Sequence, residues 1–300
     1  MMPPLRSEVL DLVASLFPGA RLSPIAGDAS TRTFLRVVPP SGPTRIVMDY
    51  GAPFEAETDD VRLWRIFSSA GLPVAVLEHV APGAGCLVLE DLGDTTLERA
   101  LGDSTSGTHN SMEALYGEAV ALALEIAIRG TEALARTDRS RSPALDAARF
   151  RFEMDFFLEH YVAGLRAIAS PPQPLREALY DLADRAADCP RPVLCHRDFH
   201  SRNLMVRDDG SLAMVDIQDA RRGPLGYDLA SLVYDSYAEV PPDLARRSIE
   251  AYRTGLATPP DPDTFAARLA IVASQRLIKA LGTFGYQATR LGRTRYLEGV

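Results

Sequence analysis

Six apolar residues, Leu5, Val9, Leu12, Val13, Leu16 and Phe17, recur at the spacing of one helix face, and Pro18-Gly19 closes that helix. The next segment changes period. Gly27 to Arg32 reads as a tight turn between two strands, the second being Phe34 to Val38. Pro39 to Pro43 is another turn, and Arg45-Ile46-Val47-Met48-Asp49 a third strand. Residues 55–70 return to helical spacing, with Val61, Trp64, Ile66 and Phe67 on or near the apolar side. Val74 to Val80 and Cys86 to Leu89, on either side of Pro82-Gly83, read as two more strands. After Leu89 the helical period dominates, with a long helix over 112–136, further helices over 147–167 and 174–187, and a hairpin near 204–216. The pattern predicts an α+β chain: an N-lobe over 1–90 built on an antiparallel sheet with one helix, a connector at Glu90 to Gly93, and a mainly helical C-lobe over 91–300. Clefts between two lobes are common ligand sites.

Composition narrows the function classes. The 300 residues carry a formal net charge of −8, which argues against a dedicated nucleic-acid binder. The three cysteines, Cys86, Cys189 and Cys195, form no CxxC pair and no disulfide framework. Cys195 adjoins His196, but its apolar neighbours suit a buried strand thiol better than a nucleophile. The opening MMPPLRSEVL has no apolar signal core, and no apolar run is long enough to span a bilayer, so a cytoplasmic protein is expected. Of the 32 basic residues 31 are arginine, and Lys279 is the single lysine. A Walker A loop needs a lysine after its glycines, so that route to phosphate binding is closed.

The sharpest chemistry lies in Val193-Leu194-Cys195-His196-Arg197-Asp198-Phe199-His200-Ser201-Arg202-Asn203-Leu204-Met205-Val206. An HRD triplet followed five residues later by Asn suits phosphoryl transfer. Asp198 accepts a hydrogen bond, then the proton, of an attacking hydroxyl, and Asn203 reaches a magnesium ion on the phosphates. Asp208-Asp209-Gly210 is a good hairpin turn, and it returns the chain to Asp216, a second hard-oxygen ligand. His200 either touches substrate or makes a structural hydrogen bond. Asp228, ahead of an apolar helix, reads as an N-cap, as a brace for the catalytic loop, or as both.

These motifs resemble the aminoglycoside phosphotransferase and choline kinase superfamily. The strings HRDFHSRNLM, VDIQDA, GPLGYDLASL, QRLIKALGTF and GDASTRTFLRV are similar to those of its anomeric N-acetylmuramate/N-acetylglucosamine kinases. The resemblance covers essentially the whole chain. It implies a bilobal protein-kinase-like fold and an ATP- and Mg2+-dependent kinase that makes a sugar 1-phosphate in cell-wall (peptidoglycan) recycling. Asp198 would be the base, and Asn203 and Asp216 the metal ligands. His196 and Asp228 would support the loop. Glu90, Asp91 and Leu92 would hold adenine, and the Gly27 to Thr31 loop, with Gly27, Ser30 and Thr31, would cover the phosphates unless it is a plain hairpin turn. His200, Arg202 and Gln218 lie close enough to the loop to touch an amino sugar. A monomer binding neither nucleic acid nor membrane is expected.

One departure from the family is sharp. The third strand ends in Met48-Asp49 without the usual lysine, leaving Arg32, Arg36 or Arg45 as substitutes, while Glu57 matches the usual helix glutamate by position only. Two other acceptors are disfavoured. A polycationic aminoglycoside would want carboxylates where the tail offers Arg276, Lys279, Arg290, Arg293 and Arg295 against Glu298, and choline would want an aromatic cage, whereas Tyr227, Tyr234 and Tyr237 have ordinary helical spacing. The missing strand lysine also admits a pseudokinase scaffold, which the intact Asp198, Asn203 and Asp216 oppose.

Overall fold

The computed structural model describes residues 5–25, 32–55, 58–102, 112–137 and 143–299. The expected turn residues Gly27, Ser30 and Thr31, and Glu57, lie outside these. The chain divides into two compact units. One contains the described residues through Asp94 together with Ala213–Gln218, the other Thr95–Leu212 together with the chain from Asp219 onward. The first therefore runs four residues past the predicted boundary at 90, because Arg36 forks onto Asp91 at 2.6 and 3.1 Å and also holds Asp94. It also gains a short later segment, since the Met214 N–H donates to the Pro73 carbonyl at 2.8 Å.

The first unit is a five-stranded antiparallel sheet in the order β1-β2-β3-β5-β4, with β1 Arg21–Ile25, β2 Thr33–Val38, β3 Arg45–Asp49, β4 Leu77–Ala81 and β5 Cys86–Glu90. Alternation along β2 and β3 sends Leu35, Val37 and Val47 to one face, where Val9 and Val13 of α1 (Ser7–Leu16) complete a buried cluster with Val88. The inserted helix α2 runs Asp59–Ser69, starting later than its period suggests because the Thr58 side chain caps it by accepting the Val61 N–H. Its Val61, Trp64, Ile66 and Phe67 are all buried, and the Trp64 indole donates to the Ala75 carbonyl at 2.6 Å.

The second unit is mainly helical. It contains α3 (Leu97–Gly102), α4 (Met112–Glu125), α5 (Thr131–Ala135), α6 (Ala147–Phe157), α7 (Gln173–Ala187), α8 (Tyr227–Val233), α9 (Pro242–Gly255) and the 28-residue α10 (Pro262–Thr289). Two of the helices expected to be uniform carry π-helical stretches, at Ile126–Gly130 between α4 and α5 and at Leu158–Leu165 after α6. The first has a visible use. It presents Thr131, whose hydroxyl donates to the Ala127 carbonyl at 2.6 Å and accepts the Leu194 N–H at 2.7 Å. The unit also contains the antiparallel pair of β6 (Val193–Cys195) with β9 (Arg221–Gly223); the predicted hairpin forms between β7 (Leu204–Val206) and β8 (Leu212–Met214). The β6–β9 pairing joins segments whose shared strand character was not evident from their sequence.

Glycines let α10 lie close to the helix it crosses. A methyl group at Gly285 would stand 2.5 Å from the His160 carbonyl oxygen, and one at Gly282 2.9 Å from Phe157 Cα; both obstacles are backbone. Gly117 in α4 faces open space. Alanine is the better helix former by about 1 kcal/mol. Urea denaturation of G117A is therefore expected to show a gain approaching ~1 kcal/mol, whereas G285A is expected to lose about 1–3 kcal/mol through overpacking. An equal gain in both would show that α10 has room to move away.

Candidate active site

The loop from His196 to Asn203 leaves β6 and enters β7, so it is anchored at both ends by strands. Between those anchors its backbone is held by carboxylates. Asp228 accepts the His196 N–H at 2.7 Å on one oxygen and the Arg197 N–H at 2.9 Å on the other. Gly226, not Asp228, occupies the N-cap of α8, so the N-cap reading of Asp228 gives way to this bracing contact. Farther along, Asp235 accepts the Ser201 N–H at 2.7 Å and the Tyr237 N–H at 2.8 Å. The loop needs such support because Arg197 has φ +82°, a left-handed conformation unfavourable for an L side chain.

Neighbouring residues of the loop point to different partners. Arg197 is buried and donates to Glu153 of α6 at 3.0 Å, while Gln275 of α10 donates to the other Glu153 oxygen at 2.8 Å. Asp198 receives the Lys279 ammonium on Oδ1 at 2.6 Å. Gln275 and Lys279 are four residues apart and so share a face of α10. One helix face thus serves both members of the Arg197-Asp198 pair. The Asn203 amide donates to the Asp198 carbonyl at 2.9 Å, which leaves its own carbonyl oxygen as a hard donor.

The electrostatics follow from this arrangement. Burial pushes the Asp198 carboxyl up, but the charges of Lys279 and Arg197 outweigh it and carry the group well below the usual carboxylate range. His200 is pushed down to about 3, first by burial and then by the charge of Arg276, so it is neutral near pH 7; its ring meets Tyr237 edge-on at 4.9 Å. Burial pushes the Cys195 thiol well up, away from any nucleophilic role. Arg202 is bidentate to Glu98 at 2.9–3.0 Å and lies over the Tyr237 ring at 4.0 Å. The His196 ring is fully buried and meets Phe199 edge-on at 5.8 Å.

Other predicted residues fall in the first unit. The Glu90 carboxylate accepts the Val76 N–H at 3.0 Å, and Leu92 is half-buried. Asp216 has φ +64° and accepts a hydrogen bond from Gln218. The three candidate substitutes for the strand lysine are each ion-paired: Arg32 with Asp60 at 2.6 Å, Arg36 with Asp91 and Asp94, and Arg45 with Glu78 at 2.5 Å. Of the three tyrosines weighed for a cage, Tyr227 is fully buried and stacks on Phe150, Tyr234 is exposed, and Tyr237 packs against His200 and Phe284. Asn203 and Asp216 each supply oxygen, the donor type magnesium takes.

Sequence reasoning missed Lys279 as a partner of Asp198, along with Glu153, Gln275 and Asp235. Eighty-one residues separate Lys279 from Asp198, so no local motif links them. The signal that could have found Lys279 was its uniqueness.

The profile of the phosphotransferase enzyme family (APH) matches residues 21–267. The N-acetylmuramate/N-acetylglucosamine kinase of Pseudomonas aeruginosa is 28% identical over 94% of this chain and 81% of its own length, and the protein of the same name from Caulobacter vibrioides is 28% identical over 96% and 86%. Choline kinase LicA from Streptococcus pneumoniae superposes with a TM-score of 0.63 at 16% identity, covering 97% of this chain and 96% of that one. The fold is thus the protein-kinase-like fold of these phosphotransferases.

Two outcomes are expected from the loop's buried groups. Truncation in D228A leaves two buried N–H groups without their acceptor and is expected to lower stability by about 2–4 kcal/mol in urea denaturation, with a parallel fall in kcat. His200 has a folded pKa below its unfolded value, so the unfolded chain binds more protons as pH falls from about 6.5 toward 3, and stability drops through that window. Between pH 7 and pH 5, H200Q is expected to lose roughly 2 kcal/mol less than the wild type. Equal losses would show that His200 protonates freely in the folded chain.

Proposed function

We infer, from a chain that belongs to the phosphotransferase enzyme family, that it moves the γ-phosphoryl group of ATP to the anomeric hydroxyl of N-acetylmuramate or N-acetylglucosamine, giving ADP and the sugar 1-phosphate. The observation that carries this reading is the state of Asp198. It is an ionised carboxylate with one oxygen held by Lys279, yet its side chain keeps 25% of its full exposure, enough to meet an acceptor. The acceptor class follows from the relatives named above and from local charge. Arg197, Arg276 and Lys279 all act on this region, which is unfavourable for a polycationic acceptor.

In this mechanism the acceptor hydroxyl donates a hydrogen bond to Asp198 Oδ2, is oriented toward phosphorus, and passes its proton to the carboxylate as the new bond forms. An anomeric hydroxyl is more acidic than an ordinary alcohol and so suits a carboxylate whose basicity neighbouring cations have lowered. Asn203 and Asp216 would hold magnesium, which when bound neutralises charge on the phosphoryl oxygens. Neutral His200 and Arg202, the latter paired with Glu98, belong to the loop and would form part of the wall that the sugar meets.

Incubation with magnesium-ATP and, separately, N-acetylmuramate, N-acetylglucosamine, kanamycin and choline tests the assignment. ADP release with either amino sugar is expected, together with an acid-labile sugar 1-phosphate seen by phosphorus NMR. D198N is expected to lower kcat by at least about 100-fold. Turnover restricted to kanamycin or choline would overturn the acceptor while leaving the family intact.

A further inference from the structure

We propose that Lys279 is a catalytic residue of this enzyme, the cation that meets the phosphoryl group in transit, and not one charge of a solvated basic tail. The inference rests on Asp198 acting as the base. Lys279 is the only lysine of the chain, and its Nζ stands 2.6 Å from Asp198 Oδ1 with 15% of its side-chain exposure retained. An acceptor hydroxyl must come within about 2.6–3.2 Å of the same carboxylate to give up its proton. Donors to the two oxygens of one carboxylate lie roughly 3–7 Å from each other, nearest when both take the lone pairs that face one another. An acceptor hydroxyl bound to Oδ2 in that near position has the ammonium as its direct neighbour, and the phosphorus it attacks lies beside the same charge.

The rest of the tail does not share this placement. Arg276 is buried and hydrogen-bonded to Ser231, Arg290 faces Glu159 at 3.6 Å, and Arg293 donates to Gln287. Arg32, Arg36 and Arg45 are held by Asp60, Asp91, Asp94 and Glu78. Lys279 also has a defined setting. Thr283, one turn on, donates to its carbonyl, and Gln275, one turn back, is fixed on Glu153. The charged groups acting on the ammonium are Asp198, Arg197, Glu153 and Arg276. During transfer the bond between the γ-phosphorus and the ADP oxygen breaks, and ADP leaves with that electron pair. The acceptor oxygen bonds phosphorus, its proton goes to Asp198, and Lys279 keeps its own protons and supplies charge alone.

The test compares wild type, K279M and K279R with magnesium-ATP and N-acetylglucosamine, reading kcat, both KM values, and ADP affinity by calorimetry. ADP lacks the transferred group, so its binding also reports whether each variant is folded. K279M is expected to lose about 100-fold or more in kcat, with both KM values within about three-fold and ADP affinity unchanged; K279R is expected to recover at least about ten-fold of that loss. A K279M kcat within about three-fold of wild type, a loss confined to KM, or K279R no better than K279M in protein that still binds ADP would each overturn the proposal. If the wild type turns over no amino sugar, the acceptor assignment falls on its own. The three proteins are then compared on slow transfer to water, where an unchanged K279M rate overturns the role of Lys279.

Discussion

A loop such as His196–Asn203, with a left-handed arginine near its start, holds its shape only if its backbone N–H groups have fixed acceptors. Asp228 supplies the first of these, taking the His196 and Arg197 N–H groups on its two oxygens from inside α8. Burial raises the Asp228 carboxyl, while the N–H groups and the nearby His196 lower it. The geometry of Asp198 follows from this contact, since Asp198 is the next residue along and its direction is set by the φ of Arg197. A missing acceptor here would leave two buried donors unpaired, at a cost comparable to a large part of a domain's net stability.

A second layer acts on the side chains. Glu153 binds Arg197 and Gln275, and Lys279 binds Asp198, so α6 and α10 hold the loop through its side chains while Asp228 and Asp235 hold its backbone. That grip depends on close approach of the helices, which Gly282 and Gly285 permit. Small residues in the last third of α10 thus bear on the position of a carboxylate eighty-one residues earlier in the chain.

Much of this was legible in the sequence. Period-two runs bounded by Pro and Gly marked the strands, and the third strand was bounded to the residue because Arg45 and Asp49 flank three apolar positions. The HRD loop and the hairpin after it were legible because spacing and turn chemistry are local. What the sequence concealed was non-local or small. The π-helical stretches at Ile126–Gly130 and Leu158–Leu165 leave the apolar period of their helices unchanged. Strand β9, Arg221–Gly223, has no apolar signature and is a strand because β6 pairs with it. The pairing of Arg36, one of the three arginines weighed for phosphate, with Asp91 and Asp94 spans more than fifty residues and shows in no local pattern. Residues of α10 looked like a polar tail because a helix shows its buried polar face only when its partner is known.

A chain with one lysine among 300 residues has one side-chain amine. Here that amine touches Asp198, the carboxylate proposed as the base. Isotope labels placed in lysine alone therefore report on this ion pair without any engineering of the rest of the protein. A compositional bias that could pass for genomic background gives the site a private chemical handle, and a nitrogen signal free of overlap with any other lysine.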